Sequence, residues 1–286
     1  MKIRKYTTLA ALLLFVATYS HAQFFAYDGF ETPGDYTDAT DVTAQSGGGS
    51  GDWDTVTLPN WNSINAGGTF ETVTSSLTYT AGSDTLLTTT GSLDKSVGGN
   101  TIVDRDFNTT PFISTFSNTS TDLWFSLLVA AESTTDTSFR LTRDSAANGP
   151  SFEILNGNLR AQFNNDFSSN SVPLTDGTTY FLLGRVRQDA GAGGEDILDM
   201  WVNPDLDSAP IAAGDLTVEK GYDITIISRV QIQSRNNDSF HFDELRIGDS
   251  FSDVAPTVIP EPSVYVFAVG FSAIGLLVRR LRFFAK

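Results

Sequence analysis

One thirteen-residue stretch constrains this chain more than any other. Residues 151–163 read SFEILNGNLRAQF, two alternating segments joined by Asn156-Gly157. Phe152 and Ile154 fall on one side of the first segment, and Leu159, Ala161 and Phe163 on one side of the second. Asn-Gly supplies the positive φ that a two-residue primed turn needs, so the stretch predicts a β-hairpin with one buried face. A hairpin cannot bury that face alone and needs further strands. The chain supplies them. Leu123–Ala131 (LWFSLLVAA) is an almost unbroken apolar run suited to a central strand, and residues 179–186, 197–202, 224–232 and 240–247 repeat the pattern. Clusters of Pro, Gly, Asn and Asp separate these segments, and no helical period lies between them. Many strands over roughly 230 residues without crossover helices mean antiparallel packing in a sandwich.

Composition narrows the function. Charged residues are only 18% of the chain, against 40% hydrophobic, enough for a packed core. The absence of Cys excludes disulfides, thiolate-bound zinc, Fe–S clusters and thiol catalysis. The net charge of −16 leaves no basic footprint for nucleic acid.

The two ends read as export signals. Lys2, Arg4 and Lys5 precede the apolar residues 9–17 (LAALLLFVA), and Ser20-His21-Ala22 offers a small-x-small cleavage site. Residues 1–22 are therefore expected to be a signal peptide cut between Ala22 and Gln23, with the Sec translocon and signal peptidase as partners. At the other end, residues 263–278 are apolar and abut Arg279, Arg280, Arg282 and Lys286. Sixteen residues at about 1.5 Å each rise roughly 24 Å, a short transmembrane helix that snorkelling arginines can extend. The basic tail is expected to stay cytoplasmic, with the main domain outside. Setting aside these basic residues and Glu261, 11 basic and 33 acidic residues remain, a net of −22 for residues 23–259. Such a surface repels anionic polymers unless cations intervene.

Val258-Ile259-Pro260-Glu261-Pro262-Ser263, an apolar span, and then Arg279-Arg280-Leu281-Arg282 together resemble a PEP-CTERM sorting signal, here residues 256–286. The resemblance implies passage through Sec and lodging in the inner membrane by the C-terminal helix. It further implies processing near Pro260-Glu261-Pro262 by an exosortase, and a final site at the cell surface or in the extracellular matrix of a Gram-negative bacterium that makes exopolysaccharide.

A second resemblance covers the middle. An opening segment from Phe25 to Glu31, a Gly- and Trp-containing loop, Leu123-Trp124-Phe125, Asp199-Met200-Trp201-Val202-Asn203-Pro204 and a closing Phe242-Asp243-Glu244-Leu245-Arg246-Ile247-Gly248 follow one another. This order is similar to that of the LamG-type, concanavalin A-like jelly roll. The resemblance implies a single all-β antiparallel sandwich over residues 23–255, with its first and last strands side by side. Jelly-roll carbohydrate-binding domains often hold a structural calcium at that place, which here would use Asp28 or Glu31 with Asp243. The alternative is a strand-end Asp bonded to backbone.

The chemistry-bearing residues are sparse. His241 is the one histidine outside the signal peptide, and no Gly-x-Ser-x-Gly elbow accompanies it. Asp104-Arg105-Asp106 begins like an EF-hand loop, but Thr109 and Thr115 stand where Gly and Glu are required. The alternating acidic triplet of sandwich-fold glycosidases is missing; Glu195, Asp196 and Asp199 have other spacings. Trp53 and Trp61, in a Gly/Asn-rich loop region, are the candidates for stacking on sugar rings, with packing beneath the loop as the alternative. Trp124 and Trp201 lie in apolar strands and are expected in the core. The expectation is an exported, non-catalytic surface protein that associates with extracellular polysaccharide. The alternatives are a glycoside hydrolase or polysaccharide lyase on the same sandwich, and a matrix protein with no glycan ligand.

Overall fold

The structure, a computed structural model, describes residues 26–32, 34–45, 49–51, 53, 60–107, 122–131, 136–142, 149–191, 195–219, 227–235 and 239–257. The signal peptide, its Ala22–Gln23 junction, the Pro260-Glu261-Pro262 motif, the apolar span and Arg279, Arg280 and Arg282 lie outside these residues. Among the described residues no helix is long and apolar enough to cross a membrane.

Among the described residues eighteen strands follow one another: β1 (Ala26–Asp28), β2 (Thr40–Asp41), β3 (Ser50–Gly51), β4 (Asn62–Val73), β5 (Thr80–Ala81), β6 (Asp84–Thr85), β7 (Ser92–Asp106), β8 (Leu123–Ala131) and β9 (Asp136–Thr142), then β10 (Pro150–Leu155), β11 (Asn158–Phe163), β12 (Asp166–Phe167), β13 (Val172–Pro173), β14 (Thr179–Arg187), β15 (Ile197–Val202), β16 (Leu216–Glu219), β17 (Arg229–Arg235) and β18 (Phe240–Gly248). Every strand pairing is antiparallel, and a one-turn helix, Phe251–Val254, follows β18. The fold is the antiparallel jelly-roll sandwich expected from the sequence.

The long strands β4 and β7 join its two sheets. Leu93–Lys95 of β7 pairs with β18, and Thr101–Asp106 pairs with β17. One sheet therefore runs β12-β11-β10-β9-β17-β7 and the other β7-β18-β8-β14-β15-β16. The bend falls where Gly98 of β7 faces Gly68 of β4. Gly98 has φ +101°, and a Cβ there would lie 2.4 Å from the Gly68 Cα. Only glycine fits two backbones that close at that dihedral. The free edges of the sheets meet again where β11 lies against β16 and Asn170 Nδ2 donates to the Asp215 carbonyl (2.6 Å).

Between the sheets lies one core. Phe139, Phe152, Phe125 and Phe242 stack across it with Leu127, Val129, Leu182 and Ile232. The 151–163 hairpin pairs as its alternation requires, with Asn156 and Gly157 at φ +51° and +71°. A second, smaller core lies on the outer face of the β8/β14/β15 sheet. Trp124 and Trp201 stack there 6.0 Å apart beneath Leu77, Tyr79, Leu86 and the 251–254 turn. Described structure continues to Thr257, which bridges to Leu86.

Candidate ligand-binding face

In β9, Phe139 and Leu141 enter the core, so Arg140 between them lies on the opposite face of its sheet. The same alternation places Ser151 and Glu153 of β10, Arg160 and Gln162 of β11, Gln231 and Gln233 of β17, and Asp104 of β7 on that face. The registers then align them across the sheet. Gln162, Ser151, Arg140, Gln231, Asp104 and Asn62 are successive cross-strand partners, and Phe167 of β12 extends the row beyond Gln162. Six interstrand steps of about 4.8 Å make a row roughly 29 Å long, enough for several linked sugars. The next row holds Arg160, Glu153, Ser138 and Gln233.

Most of these polar side chains are recessed: Ser138, Ser151, Glu153, Gln162, Gln231 and Asp104 are all buried. Ion pairs hold the arginines flat on the sheet. Arg160 lies 2.5 Å from Glu153, and Arg235 is 2.8 Å from Glu153 and 3.4 Å from Asp136. Arg229 bridges Asp104 (2.6 Å) and Asp106 (2.5 Å). Burial pushes the Asp104 carboxyl up to about 6, against the pull of Arg229 and with the help of Asp106. Three buried polar atoms on this face have no hydrogen-bond partner: Asp104 Oδ1, Ser138 Oγ and Arg140 Nε. Atoms of the same kind lie elsewhere in the fold as well, among them Trp201 Nε1 and Arg246 Nε, so it is their alignment with the polar row that distinguishes these three.

At the β12 end the face opens into a hollow of about 450 Å³ between Leu155, Asn158, Arg160, Phe167 and Asn170. Phe167 is 42% exposed, and the Arg160 guanidinium sits 4.0 Å from its ring centroid. An exposed ring beside amide, hydroxyl and guanidinium donors can stack on a pyranose and bond its hydroxyls.

The residues singled out from the sequence are placed elsewhere, and two expectations are corrected. Trp53 and Trp61 are both buried, packed 6.5 Å apart with Phe107 and Phe30, so neither ring has a face open to a sugar. Trp53 Nε1 donates to the Tyr27 carbonyl (3.0 Å) and Trp61 Nε1 to Asp28 (3.1 Å). The calcium reading fails for a related reason. β1 and β18 are neighbours as expected, with Asp28 opposite Leu245. The Asp28 carboxylate, however, is already filled by Arg105 (2.7 Å), the Tyr36 hydroxyl (2.7 Å), Trp61 and the Phe30 N–H (3.0 Å). An arginine supplies the positive charge there. Asp243 accepts from the Leu77 and Glu244 N–H groups, the backbone role weighed as the alternative, and Glu31 is exposed. Among the described residues no three acidic or histidine side chains are placed to hold a metal ion. His241 lies 3.7 Å from Asp94.

Sequence reasoning missed the Arg140 face. Its signal was present as long polar residues alternating with core residues in FRL, EIL, RAQF and QIQSR. What aligns them is the pairing of β9 with β17, about 90 residues apart in the chain.

No family model and no curated protein matches the chain. Solved structures of similar shape include an endo-β-1,4-glucuronan lyase from the fungus Trichoderma reesei, 13% identical, with a TM-score of 0.39 over 72% of this chain and 96% of that one. The cellulose-induced protein Cip1 is 13% identical, with a TM-score of 0.39 over 66% of this chain and 91% of its own. The receptor-binding domain of botulinum neurotoxin mosaic serotype C/D is 10% identical, with a TM-score of 0.42 over 82% of this chain and 49% of that one.

Proposed function

We propose that this chain is an exported surface protein that associates with extracellular polysaccharide through the Arg140 face. One observation carries the reading. A recessed row of amide, hydroxyl and charged side chains crosses the sheet and ends in an exposed ring over a hollow. A long strip of convergent donors beside an aromatic platform suits an extended polymer of hydroxylated rings better than a compact metabolite. Full-length protein displayed against a glycan array tests it: several linked polysaccharides should be retained, and Phe167→Ala should weaken retention several-fold. Blanks across the array would leave a matrix protein without a glycan ligand.

The sorting half of the proposal rests on the sequence of the two ends. A signal peptide delivers the chain to Sec, the 263–278 span holds it in the inner membrane, and an exosortase acts near Pro260-Glu261-Pro262. Replacing Arg279, Arg280 and Arg282 by neutral residues should weaken retention with the basic end inside. A variant processed and localised like the parent would remove the tail as a topology signal.

A further inference from the structure

Arg140 differs from every other arginine whose side chain is described. Arg105, Arg160, Arg185, Arg187, Arg229, Arg235 and Arg246 each lie within ion-pair distance of a carboxylate. Arg140 makes no ion pair among the described residues, and its Nε is buried without a hydrogen-bond partner. This is the reverse of what the composition favours, since acids outnumber bases 34 to 18. The neighbouring charges explain why Arg140 makes no ion pair. Glu153 lies on the same face but is committed to Arg160 and Arg235. Burial and the neighbouring Arg235 lower the Arg140 pKa, against the pull of Glu153. A half-buried cation without an ion pair gives up part of its hydration, a cost that an arriving anion offsets. The guanidinium presents a planar fork that matches a carboxylate in two parallel bonds. In register on either side stand Ser151 and Gln231, and neither is anionic.

We infer that Arg140 is the carboxylate-binding residue of the face, and that the polysaccharide it takes carries uronic acid units. The inference rests on the polysaccharide reading above and names the class of polymer. One uronate docks on the Arg140 guanidinium, with the Gln231 amide beside it donating to a remaining carboxylate lone pair or a ring hydroxyl; the Ser151 hydroxyl is already given to Gln162. Neighbouring sugars follow the row toward Gln162 and Phe167. The four arginines on this face balance Asp104, Asp106, Asp136 and Glu153, so an acidic chain meets a neutral strip on a protein that is strongly negative elsewhere. The repulsion beyond it is screened within about 8 Å at physiological ionic strength.

Binding of the full-length protein to polygalacturonate, alginate and polyglucuronate decides the matter, with methyl-esterified polygalacturonate and a neutral β-glucan alongside. The parent should bind at least one polyuronate and lose tenfold or more in affinity when the carboxylates are esterified. Arg140→Gln should lose the same tenfold on the acidic polymer and bind the neutral or esterified one like the parent. Because Arg140 makes no ion pair among the described residues, Arg140→Gln should also melt at or above the parent temperature. Equal binding of acidic and esterified polymer, or an Arg140→Gln variant that is folded and binds the acidic polymer undiminished, would overturn the uronate assignment while leaving the polysaccharide reading in place. Binding to none of the polymers would remove both. The esterified polymer puts the question to the unsubstituted chain, so a variant that failed to fold would not spare the inference.

Discussion

Asp28 shows how one residue reverses an expectation. Read from its neighbours in sequence, it is a loose acid at the end of the first strand, suited to a cation. In the fold its carboxylate is the centre of a buried polar knot that ties β1 to the Trp61 segment through Trp61 Nε1 and to β7 through Arg105. Arg105 also lies 4.2 Å over the Trp53 ring, so charge and aromatic packing fix the same side chain. Asp28→Asn should therefore destabilise the fold by about 3–5 kcal/mol, the usual cost of stranding one member of a buried ion pair. Arg105→Met in the same chain should recover part of that loss, since no charge is then left alone. Denaturant midpoints of the two single variants and the double variant measure it; additive losses would mean the pair does not interact. Calcium and chelator should leave the melting temperature unchanged.

The elements divide by how their sequence advertises them. β8, β14, β15 and β18 are mostly apolar or cleanly alternating, and the sequence placed them to within a residue or two at each end. The hairpin of β10 and β11 was equally plain because Asn156-Gly157 leaves few other turns. β4 and β7 were illegible, although they are the longest strands. β4 reads NSINAGGTFETV and β7 SLDKSVGGNTIVDRD, polar and Gly-rich, with single core residues such as Phe70, Leu93 and Val103 spaced irregularly. The irregularity comes from three register shifts along their pairing, which break the two-residue period that sequence reading relies on. The glycines that look like linker composition are the corner joining the sheets. Gly98→Ala should cost more stability than Gly82→Ala, although both have positive φ. A Cβ at Gly98 meets the Gly68 backbone at 2.4 Å, whereas one at Gly82 meets nothing within 4 Å. The left-handed dihedral alone is worth about 1–2 kcal/mol at Gly82, whereas Gly98, at φ +101°, lies outside that region and adds the collision as well. Thermal melts of the two variants check this; equal losses would mean the corner yields without strain.

At the scale of the whole molecule, the acids decide how stability depends on pH. Burial raises the pKa of Asp104 to about 6 and raises those of Asp243 and Glu244. Each of these groups holds a proton in the fold that the unfolded chain has already released near pH 4. Their contribution is complete below the unfolded values, about 3.8 for the two aspartates and about 4.5 for Glu244, and is lost as pH rises through the folded values. Asp199 works the other way. Held by Arg187, Arg185 and Thr217, its pKa is lowered, so its contribution is present above the unfolded value and lost as pH falls below it. The two trends leave the greatest stability on the acid side of neutrality, between about pH 4 and 6, and the melting temperature should be higher at pH 5 than at pH 8. Self-repulsion of a chain with net charge −16 pushes in the same direction, and two measurements separate the causes. Added salt should remove the share due to general repulsion. Asp104→Asn, which leaves Arg229 its contact with Asp106, should flatten the part of the decline that runs through pH 6 and that salt does not touch. A melting temperature that holds level or climbs from pH 5 to pH 8 would mean that Asp104 is ionised throughout in the fold. The strip would then keep the same charge balance across that range, and an acidic polymer would bind no better at pH 5 than at pH 8.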